Sequence, residues 1–194
     1  MRIAGGTLRG RTLKAPPGDV LRPTQDAVRE ALFSMLASVV PGCSFLDLYA
    51  GTGAVGLEAF SRGAAAATWV ERSPRSLRLL EANLAACCGS PLPPGLRVVR
   101  ADVAAWLRRP DLPPGSVDVA FADPPYVERE GEDDGMSALL ASLRDSGLLA
   151  PRAFFAAEQR DRTPPPVCEG FETIVSRRYG RTSLTILRTR PDAP

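Results

Sequence analysis

The spacing of hydrophobic positions changes repeatedly along the chain, from short continuous apolar runs to the repeat of an amphipathic helix. The runs predict buried strands, and the helical repeats predict helices between them. The predicted strands lie at 44–50, 66–71, 96–102 and 117–123, and the predicted helices lie near 54–62, 74–88, 103–109 and 134–147. Because strands that alternate with helices form a parallel sheet covered on both faces, we predict a doubly wound, Rossmann-like α/β fold.

Both ends of the chain depart from this alternation. Three strand-like segments lie between residues 153 and 189 with no helix between the last two, which predicts an antiparallel hairpin that completes the mostly parallel sheet. At the N-terminal end, glycine, arginine and isolated apolar residues predict a short hairpin or extended arm. A helix follows, for which Thr24 is the predicted N-cap. We therefore expect an arm and helix at 1–40, followed by an α/β domain at 41–190.

Composition narrows the possible chemistry. The 194 residues suit one domain of ordinary size, and the net charge is +2. The absence of a long apolar run or an apolar signal segment predicts a cytoplasmic protein. The chain has four cysteines without the CxxC spacing of a zinc site, and it has no histidine. We therefore expect no metal site, and catalysis has to use carboxylates, tyrosine, backbone groups or a cofactor.

Basic residues concentrate near the N-terminus. Residues 1–30 contain six basic and three acidic side chains, an excess that predicts contact with phosphate groups. Arg9 and Arg11 of the arm are the residues that we expect to contact a nucleic acid. A solvated surface arm without a partner is the alternative that charge alone leaves open.

A glycine-rich segment follows the first predicted strand. Residues 51–56 match the GxGxxG fingerprint of dinucleotide-binding loops, and Glu71 ends the next strand, where an acid can bind ribose hydroxyls. These features alone are typical of a nicotinamide-dependent dehydrogenase. Asp47, four residues before Gly51, favours a different ligand, because a carboxylate there suits a cationic amino-acid group better than a pyrophosphate. S-adenosylmethionine carries such a group and no phosphate.

Acids also end the third and fourth predicted strands, at Asp102 and Asp123. The carboxyl ends of parallel strands line the ligand crevice in this type of fold, and glycines there allow a ligand to approach the backbone. Glu71 would bind the ribose, and Asp102 would bind the adenine amino group with Val103 nearby. The alternative for Asp102 is that it caps the following helix.

The segment Asp123-Pro124-Pro125-Tyr126 has the properties of a clamp for an amino nitrogen. Its acceptors are the Asp123 carboxylate and the Pro124 carbonyl, which the two prolines hold rigidly. Hydrogen bonds from both N–H groups to these acceptors would localise the nitrogen lone pair, and Tyr126 can stack on a base. The segment therefore predicts methyl transfer to an amino group without a strong base. The alternative is an ordinary proline turn that ends the strand.

These motifs together resemble a known family. The chain resembles class I S-adenosylmethionine-dependent methyltransferases that act on amino groups in the segments DLYAGTGAVGLEA and DPPY. It resembles the RsmD family of bacterial ribosomal RNA methyltransferases in GGTLRGRTL and LRPTQDAVREALFSML, and the likeness extends from about Arg2 to Arg188. The resemblance implies methylation of the 2-amino group of a guanine in 16S ribosomal RNA, on an assembled or partly assembled small subunit.

The resemblance also implies roles for particular residues. The implied catalytic residues are Asp123, Pro124, Pro125 and Tyr126. The implied cofactor-binding residues are Asp47, Tyr49, Ala50, Gly51, Thr52, Gly53, Glu71, Arg72, Ser73, Asp102, Val103 and Asp123. The residues expected to face RNA are Arg9, Arg11, Arg22, Thr24 and Arg29. For Arg29, an internal ion pair involving Glu30 is an equal alternative. We expect S-adenosylmethionine as the cofactor, no metal, and a monomer.

Other interpretations remain open at this point. An acidic loop at 128–135 departs from the family pattern and would repel phosphates beside the expected base pocket. The DPPY motif could also serve adenine or cytosine in DNA, although little chain is left for a DNA-reading domain. A non-catalytic RNA-binding module on the same scaffold is the alternative outside enzymes. Transfer to a protein glutamine or a small molecule would leave the basic arm without a role.

Overall fold

The structure is a computed structural model and describes residues 1–16, 23–125 and 135–190. Within these ranges the helices are α1 Pro23–Met35, α2 Ala54–Ser61, α3 Pro74–Cys88, α4 Val103–Leu107 and α5 Met136–Asp145. The strands are β1 Ser44–Leu48, β2 Ala66–Glu71, β3 Leu96–Arg100, β4 Val117–Ala122, β5 Leu149–Arg160, β6 Phe171–Tyr179 and β7 Thr182–Thr189. None of the helices in the described ranges has the length and apolar character needed to cross a membrane.

The seven strands form one sheet in the order β3-β2-β1-β4-β5-β7-β6. The strands β1 to β5 are parallel, and β7 runs antiparallel between β5 and β6. The predicted doubly wound, mostly parallel fold with an antiparallel C-terminal hairpin is therefore confirmed. Because the chain order reverses between β1 and β4, a crevice opens at the carboxyl ends of these two strands.

The start of α1 differs from the prediction. The helix begins at Pro23, so Thr24 lies inside its first turn and is not its N-cap. Proline is favoured at the first helical position because an N–H is not needed there and the φ angle of proline is already helical. The regular helix ends at Met35, and the chain reaches Pro41 through turns.

Apolar side chains on the two faces of the sheet form two clusters. Phe45 and Trp69 belong to the cluster that includes α1, α2 and α3, whereas Leu46 and Val70 belong to the cluster that includes α4 and α5. Neighbouring residues of one strand therefore point to opposite faces, and both are buried, as expected for a parallel sheet covered by helices on both sides.

The first 16 residues contain a hairpin that packs along α2 and α3. An isolated antiparallel bridge joins its two sides, and Ile3 is buried in the same apolar cluster as α1. Near the tip of the hairpin, the Leu8 N–H donates to Ser61 Oγ at 2.9 Å, at the end of α2. Near its open end, the Asn83 side chain of α3 bonds both the N–H and the carbonyl of Lys14. The hairpin is thus fixed at both ends.

Glu58 of α2 is fully buried and joins the hairpin to α1 and α2. Its Oε2 atom accepts from the Ala4 N–H at 2.8 Å and lies 3.4 Å from Arg29 Nε. Its Oε1 atom accepts from the Gly5 N–H and from Arg62 Nε, each at 2.8 Å. A buried carboxylate with this many donors is compensated for the loss of its hydration. One side chain therefore fixes the arrangement of three segments.

Removal of the Glu58 carboxylate should destabilise the fold strongly. In Glu58→Ala, the buried guanidinium of Arg29 loses one of its two ion-pair partners among the described residues and keeps Asp26. We expect the free energy of unfolding, measured by urea denaturation, to fall by about 3–5 kcal/mol. The control is Glu81→Ala, which breaks an exposed ion pair with Arg100 and should cost less than about 1 kcal/mol. Equal losses in the two variants would contradict the anchoring role.

Candidate functional site

A pocket opens at the carboxyl ends of β1 and β4, where the chain order reverses. It contains about 930 Å³ of space that protein atoms do not fill, part of which is open to solvent. Side chains of α1 and the loop after β1 contribute to its walls. Its charged and polar lining residues are Arg29, Asp47, Tyr49, Thr52, Ser76, Asp123 and Glu158.

Asp47 lies inside β1, and only 2% of its surface is exposed. Its Oδ2 atom accepts a hydrogen bond of 2.8 Å from the Gly56 N–H in α2. Burial raises the pKa of Asp47 to about 8, while the hydrogen bond from Gly56 lowers it and the negative charge of Asp123 raises it further. A cation in the pocket would therefore favour the ionised form of Asp47.

The loop after β1 places open backbone at the pocket. Tyr49 has a φ angle of +60°, a left-handed conformation that is uncommon for residues other than glycine. Gly51 has a φ of +56°, and a Cβ built there would meet nothing nearer than the Tyr49 carbonyl oxygen at 3.9 Å. Ala50 and Thr52 line the pocket on either side of Gly51. A ligand can therefore approach the backbone at Gly51 closely.

Protein atoms fill the space beside the two later glycines of this segment. A Cβ at Gly53 would lie 2.2 Å from Leu80 Cδ1, and a Cβ at Gly56 would lie 2.3 Å from Trp69 Nε1. The Trp69 Nε1–H also donates to the Gly53 carbonyl at 3.2 Å. Close packing of β2 and α3 against α2 explains both glycines. The interpretation that a glycine allows a ligand to approach the backbone therefore applies to Gly51. At Gly53 and Gly56, protein atoms occupy the space where a side chain would lie.

Glu71, at the end of β2, ties two loops together beside the pocket. Its Oε2 atom accepts from the Gly51 N–H at 2.8 Å. Its Oε1 atom accepts from the Arg72 N–H at 2.8 Å and from the Ser73 N–H at 2.7 Å. Ser73 is also the N-cap of α3, where its hydroxyl accepts from the Ser76 N–H. The binding of ribose by this segment stays a prediction.

Asp102 caps α4, which is the alternative that the sequence left open. Its Oδ1 atom accepts from the Ala105 N–H, and its Oδ2 atom pairs with the Arg72 guanidinium, each at 3.1 Å. Val103 follows as a buried residue of the helix. These contacts bring the ends of β2 and β3 together, and the contact of Asp102 and Val103 with adenine stays a prediction.

Asp123 follows β4 and lines the pocket together with Asp47. Burial raises the pKa of Asp123 to about 6, so at neutral pH the carboxylate form predominates. Pro124 is half-buried and Pro125 is exposed. Tyr126, together with most of the acidic loop predicted at 128–135, lies outside the described residues.

Glu158 is a pocket residue that the sequence reasoning missed. In the register between β4 and β5, Ala122 pairs with Ala157, so Glu158 lies one residue further along, beside Asp123. Burial raises the pKa of Glu158 to about 8, and the charge of Asp123 adds to this effect while Arg29 opposes it. The sequence feature that could have identified Glu158 is its position directly after the apolar segment FFAA. This segment belongs to a strand that follows the Asp123–Tyr126 segment in the chain.

Arg29 has the contacts of an internal anchor. Only 5% of its surface is exposed. Its Nη2 atom donates to the Arg2 carbonyl at 2.7 Å and to Asp26 Oδ1 at 2.9 Å, and its Nε atom pairs with Glu58. The internal ion pair weighed for Arg29 is therefore present, with Glu58 and Asp26 as partners. Glu30, the partner considered from the sequence, is exposed.

Of the other residues predicted to face RNA, Arg9 and Arg11 do not line the pocket. Arg9 is exposed near the tip of the N-terminal hairpin. Arg11 is also exposed, and its Nη1 atom donates to the Ala86 carbonyl in α3 at 3.1 Å. Thr24 lies in the first turn of α1, and Arg22 lies outside the described residues. Contact of these residues with RNA stays a prediction.

The parallel sheet, its antiparallel final hairpin and the acids at the strand ends define the fold of a class I methyltransferase. The family model for conserved hypothetical protein 95 matches residues 1–188, and the chain belongs to this family.

Relatives of known name support the assignment. The chain is 39% identical to ribosomal RNA small subunit methyltransferase D of Escherichia coli K12 over 158 residues, which cover 81% of this chain and 74% of the relative. It is 30% identical to the protein of the same name from Haemophilus influenzae, with 96% and 92% covered. A solved structure of a methyltransferase candidate from Escherichia coli superposes with a TM-score of 0.80 at 31% identity, covering 98% of each chain.

The packing role of Gly53 can be separated from its backbone conformation. Gly53 and Gly42 have nearly the same φ, +79° and +81°, but a Cβ at Gly42 would meet nothing within 4 Å. Gly42→Ala should therefore cost only the left-handed backbone strain, about 1–2 kcal/mol. Gly53→Ala should cost about 1–3 kcal/mol more, because the new methyl group displaces Leu80. Thermal and urea unfolding measure both, and equal costs would contradict the packing explanation.

Proposed function

We propose that this protein transfers the methyl group of S-adenosylmethionine to the exocyclic N2 amino group of a guanine in small-subunit (16S) ribosomal RNA. The observation that carries the proposal is that Asp123, the first residue of the DPP segment, lines an acidic pocket with open glycine backbone. Membership of a family whose named relatives are small-subunit ribosomal RNA methyltransferases supports the substrate class.

The charges of the pocket fit this cofactor. Among the described lining residues, Asp47, Asp123 and Glu158 are acidic and Arg29 is the one basic residue. Arg29 is already paired with Glu58. An acidic, mostly buried site favours a ligand with ammonium and sulfonium groups. When bound, S-adenosylmethionine supplies an electrophilic methyl group. Asp47 and the backbone near Gly51 would hold its amino-acid part, and the adjoining strand ends would hold its ribose and adenine.

The DPP segment provides the acceptors for the amino group. The Asp123 carboxylate and the Pro124 carbonyl would each accept one N–H of the guanine N2 group, which localises the nitrogen lone pair. Methyl transfer would leave the electron pair of the C–S bond on sulfur and make the nitrogen cationic and acidic. Asp123 or water would then accept the proton that the nitrogen loses. No histidine is needed for this step, in agreement with the composition of the chain.

Glu158 gives a physical reason for a preference for guanine. The ring nitrogen beside the amino group is an N–H donor in guanine, whereas it is an unprotonated acceptor in adenine and cytosine. A cationic cofactor in the pocket would favour the ionised form of Glu158, which lies beside Asp123. An oxygen of this carboxylate would accept the guanine N–H and be repelled by a ring lone pair. Tyr126 would stack on the guanine taken out of its helix. The expected substrate particle is the small subunit or an assembly intermediate, and the protein would act on it as a monomer.

The proposal predicts a specific product. Methyl-labelled S-adenosylmethionine and small subunits from a strain without this activity should give N2-methylguanosine at a single position, detected by nucleoside mass analysis. Methyladenosine or methylcytosine, or label in DNA alone, would overturn the guanine or RNA assignment. Bound cofactor without transfer to any of these substrates would favour the binding-module alternative.

The same assay tests the two acids of the pocket. Asp123→Ala should lower kcat by at least about a hundredfold, because it removes an acceptor used in the transition state. Glu158→Ala should lower kcat/KM by about tenfold or more, and Glu158→Gln should retain more activity because its amide oxygen still accepts a hydrogen bond. Wild-type rates in both Ala variants would contradict the clamp, provided that cofactor binding is unchanged.

Cofactor affinity should depend on pH. Asp47 and Glu158 have pKa values of about 8 in the free protein, so both are mainly protonated at pH 6.5. A cation favours their ionised forms, so its binding releases protons below pH 8 and strengthens as pH rises. We expect the Kd for S-adenosylmethionine, measured by calorimetry, to fall by at least about tenfold between pH 6.0 and 7.5, where the ammonium group of the ligand keeps its charge, with a smaller change in Asp47→Asn. An affinity independent of pH would contradict the electrostatic explanation.

A further inference from the structure

A second group of basic residues lies at the tip of the C-terminal hairpin. A two-residue turn, Gly180–Arg181, joins β6 to β7, with a φ of +61° at Gly180, as in the tight turns of twisted hairpins. The end of β5 lies next to this turn, since Arg160 pairs with Thr182 and the Asp161 N–H donates to the Arg181 carbonyl at 3.1 Å. We call the group the hairpin-tip surface, and it consists of Arg160, Arg162, Arg177, Arg178 and Arg181.

The hairpin-tip surface lies at the same edge of the sheet as the pocket. β5 runs parallel to β4, so the carboxyl ends of both strands meet this edge. Glu158 in the pocket pairs with Leu184, and Leu184 pairs with Arg177. Paired residues of antiparallel strands share a face, so Arg177 lies on the pocket side of the sheet, two strand spacings or about 10 Å from Glu158.

Within the described residues, the charges of Arg162, Arg177, Arg178 and Arg181 are not balanced locally. All five arginines are exposed, and Asp161 is the one acid within 159–162 and 176–183. Among the residues that the structure describes, no carboxylate forms an ion pair with Arg162, Arg177, Arg178 or Arg181. Elsewhere, exposed arginines such as Arg100 and Arg188 are paired with glutamates. Clustered guanidinium groups repel one another, and phosphate oxygens are their strongest partners.

The tip of the N-terminal hairpin, whose arginines were expected from the sequence to contact RNA, lies away from the pocket. α2 begins beside the pocket and ends at Ser61, about 10 Å further along its axis at 1.5 Å per residue. Leu8, next to Arg9, bonds Ser61 at that far end. Arg11 bonds Ala86 near the far end of α3. An RNA strand with a base in the pocket would therefore reach the hairpin-tip surface before it reached Arg9 or Arg11.

We propose that the hairpin-tip surface binds phosphates of the RNA strand on one side of the guanine that enters the pocket. The inference rests on the proposed function for the identity of the nucleic acid. Each phosphate contact by an arginine adds affinity that is independent of sequence and sensitive to salt. Arg177 and Arg181 would make the contacts nearest to the pocket.

Three double variants of equal charge change test the proposal. Arg177→Ala/Arg181→Ala removes two cations of the surface. Arg9→Ala/Arg11→Ala removes two cations of the N-terminal hairpin. Arg108→Ala/Arg109→Ala is the control, for which we expect no effect on RNA binding. Both residues are exposed and follow α4, near β3, which lies at the opposite end of the sheet from β6. Circular dichroism and the Kd for S-adenosylmethionine establish that each variant is folded and binds cofactor as wild type does.

The first readout is equilibrium binding to a 16S ribosomal RNA transcript between 50 and 200 mM salt. The Arg177/Arg181 variant should bind about tenfold more weakly at low salt, and its log–log salt slope should be smaller by roughly 1.5–2, as expected for two lost phosphate contacts. The Arg108/Arg109 variant should match wild type within about twofold, and the Arg9/Arg11 variant should lose less affinity than the Arg177/Arg181 variant. Wild-type binding by the Arg177/Arg181 variant, or an equal loss in the control, would overturn the proposal.

The second readout is methyl transfer to small subunits, which separates this inference from the proposed function. The Arg177/Arg181 variant should show a KM for subunits raised by about tenfold with kcat nearly unchanged, as expected when binding alone is weakened. If the Arg177/Arg181 variant transfers methyl groups with the wild-type KM for subunits, the proposal is overturned. If wild type transfers no methyl group while RNA binding still depends on Arg177 and Arg181, the surface stands and the proposed function fails.

Discussion

The buried carboxylate of Glu58 is the interaction on which the arrangement of the N-terminal third of the molecule depends. Its partners come from the N-terminal hairpin, from α1 and from α2. One of them, Arg29, also lines the pocket between β1 and β4. The carboxylate that holds the hairpin therefore also sets where the basic side chain of the pocket lies. The same hydrogen bonds and ion pairs therefore hold the N-terminal segment in place and position a charged residue of the pocket.

The pocket stores unfavourable electrostatics in the free protein. Burial raises the pKa values of Asp47, Asp123 and Glu158, and the negative charge of Asp123 raises those of Asp47 and Glu158 further. The ionised forms of these groups are therefore less stable than they would be in water. Entry of a positively charged ligand reverses this effect, because each anion then has a partner at short range. A pyrophosphate would add two more negative charges to the same space. The acidic residues of the pocket therefore favour a sulfonium cofactor over a dinucleotide.

The sequence predicted much of this structure because its signals are local. Apolar runs gave β1 and β4, and an acid at or near the end of each marked Asp47 and Asp123. The C-terminal hairpin was equally clear, and β6 and β7 have the predicted bounds. Glu158 was missed because only the register between β4 and β5 brings it beside Asp123. The roles of Gly53 and Gly56 were also hidden, since Trp69 and Leu80 reach them from later elements.

The position of β6 at the outer end of the sheet has a further consequence for the protein in a crowded cell. An edge strand of nine residues exposes unpaired backbone groups that could join the sheet of another molecule. The register of β6 shifts between Thr173 and Val175, which bends the edge, and Arg177 and Arg178 place charge on it. The charge on β6 thus opposes pairing of this edge with a neighbouring molecule, and the proposed contact with RNA would constrain the same few positions.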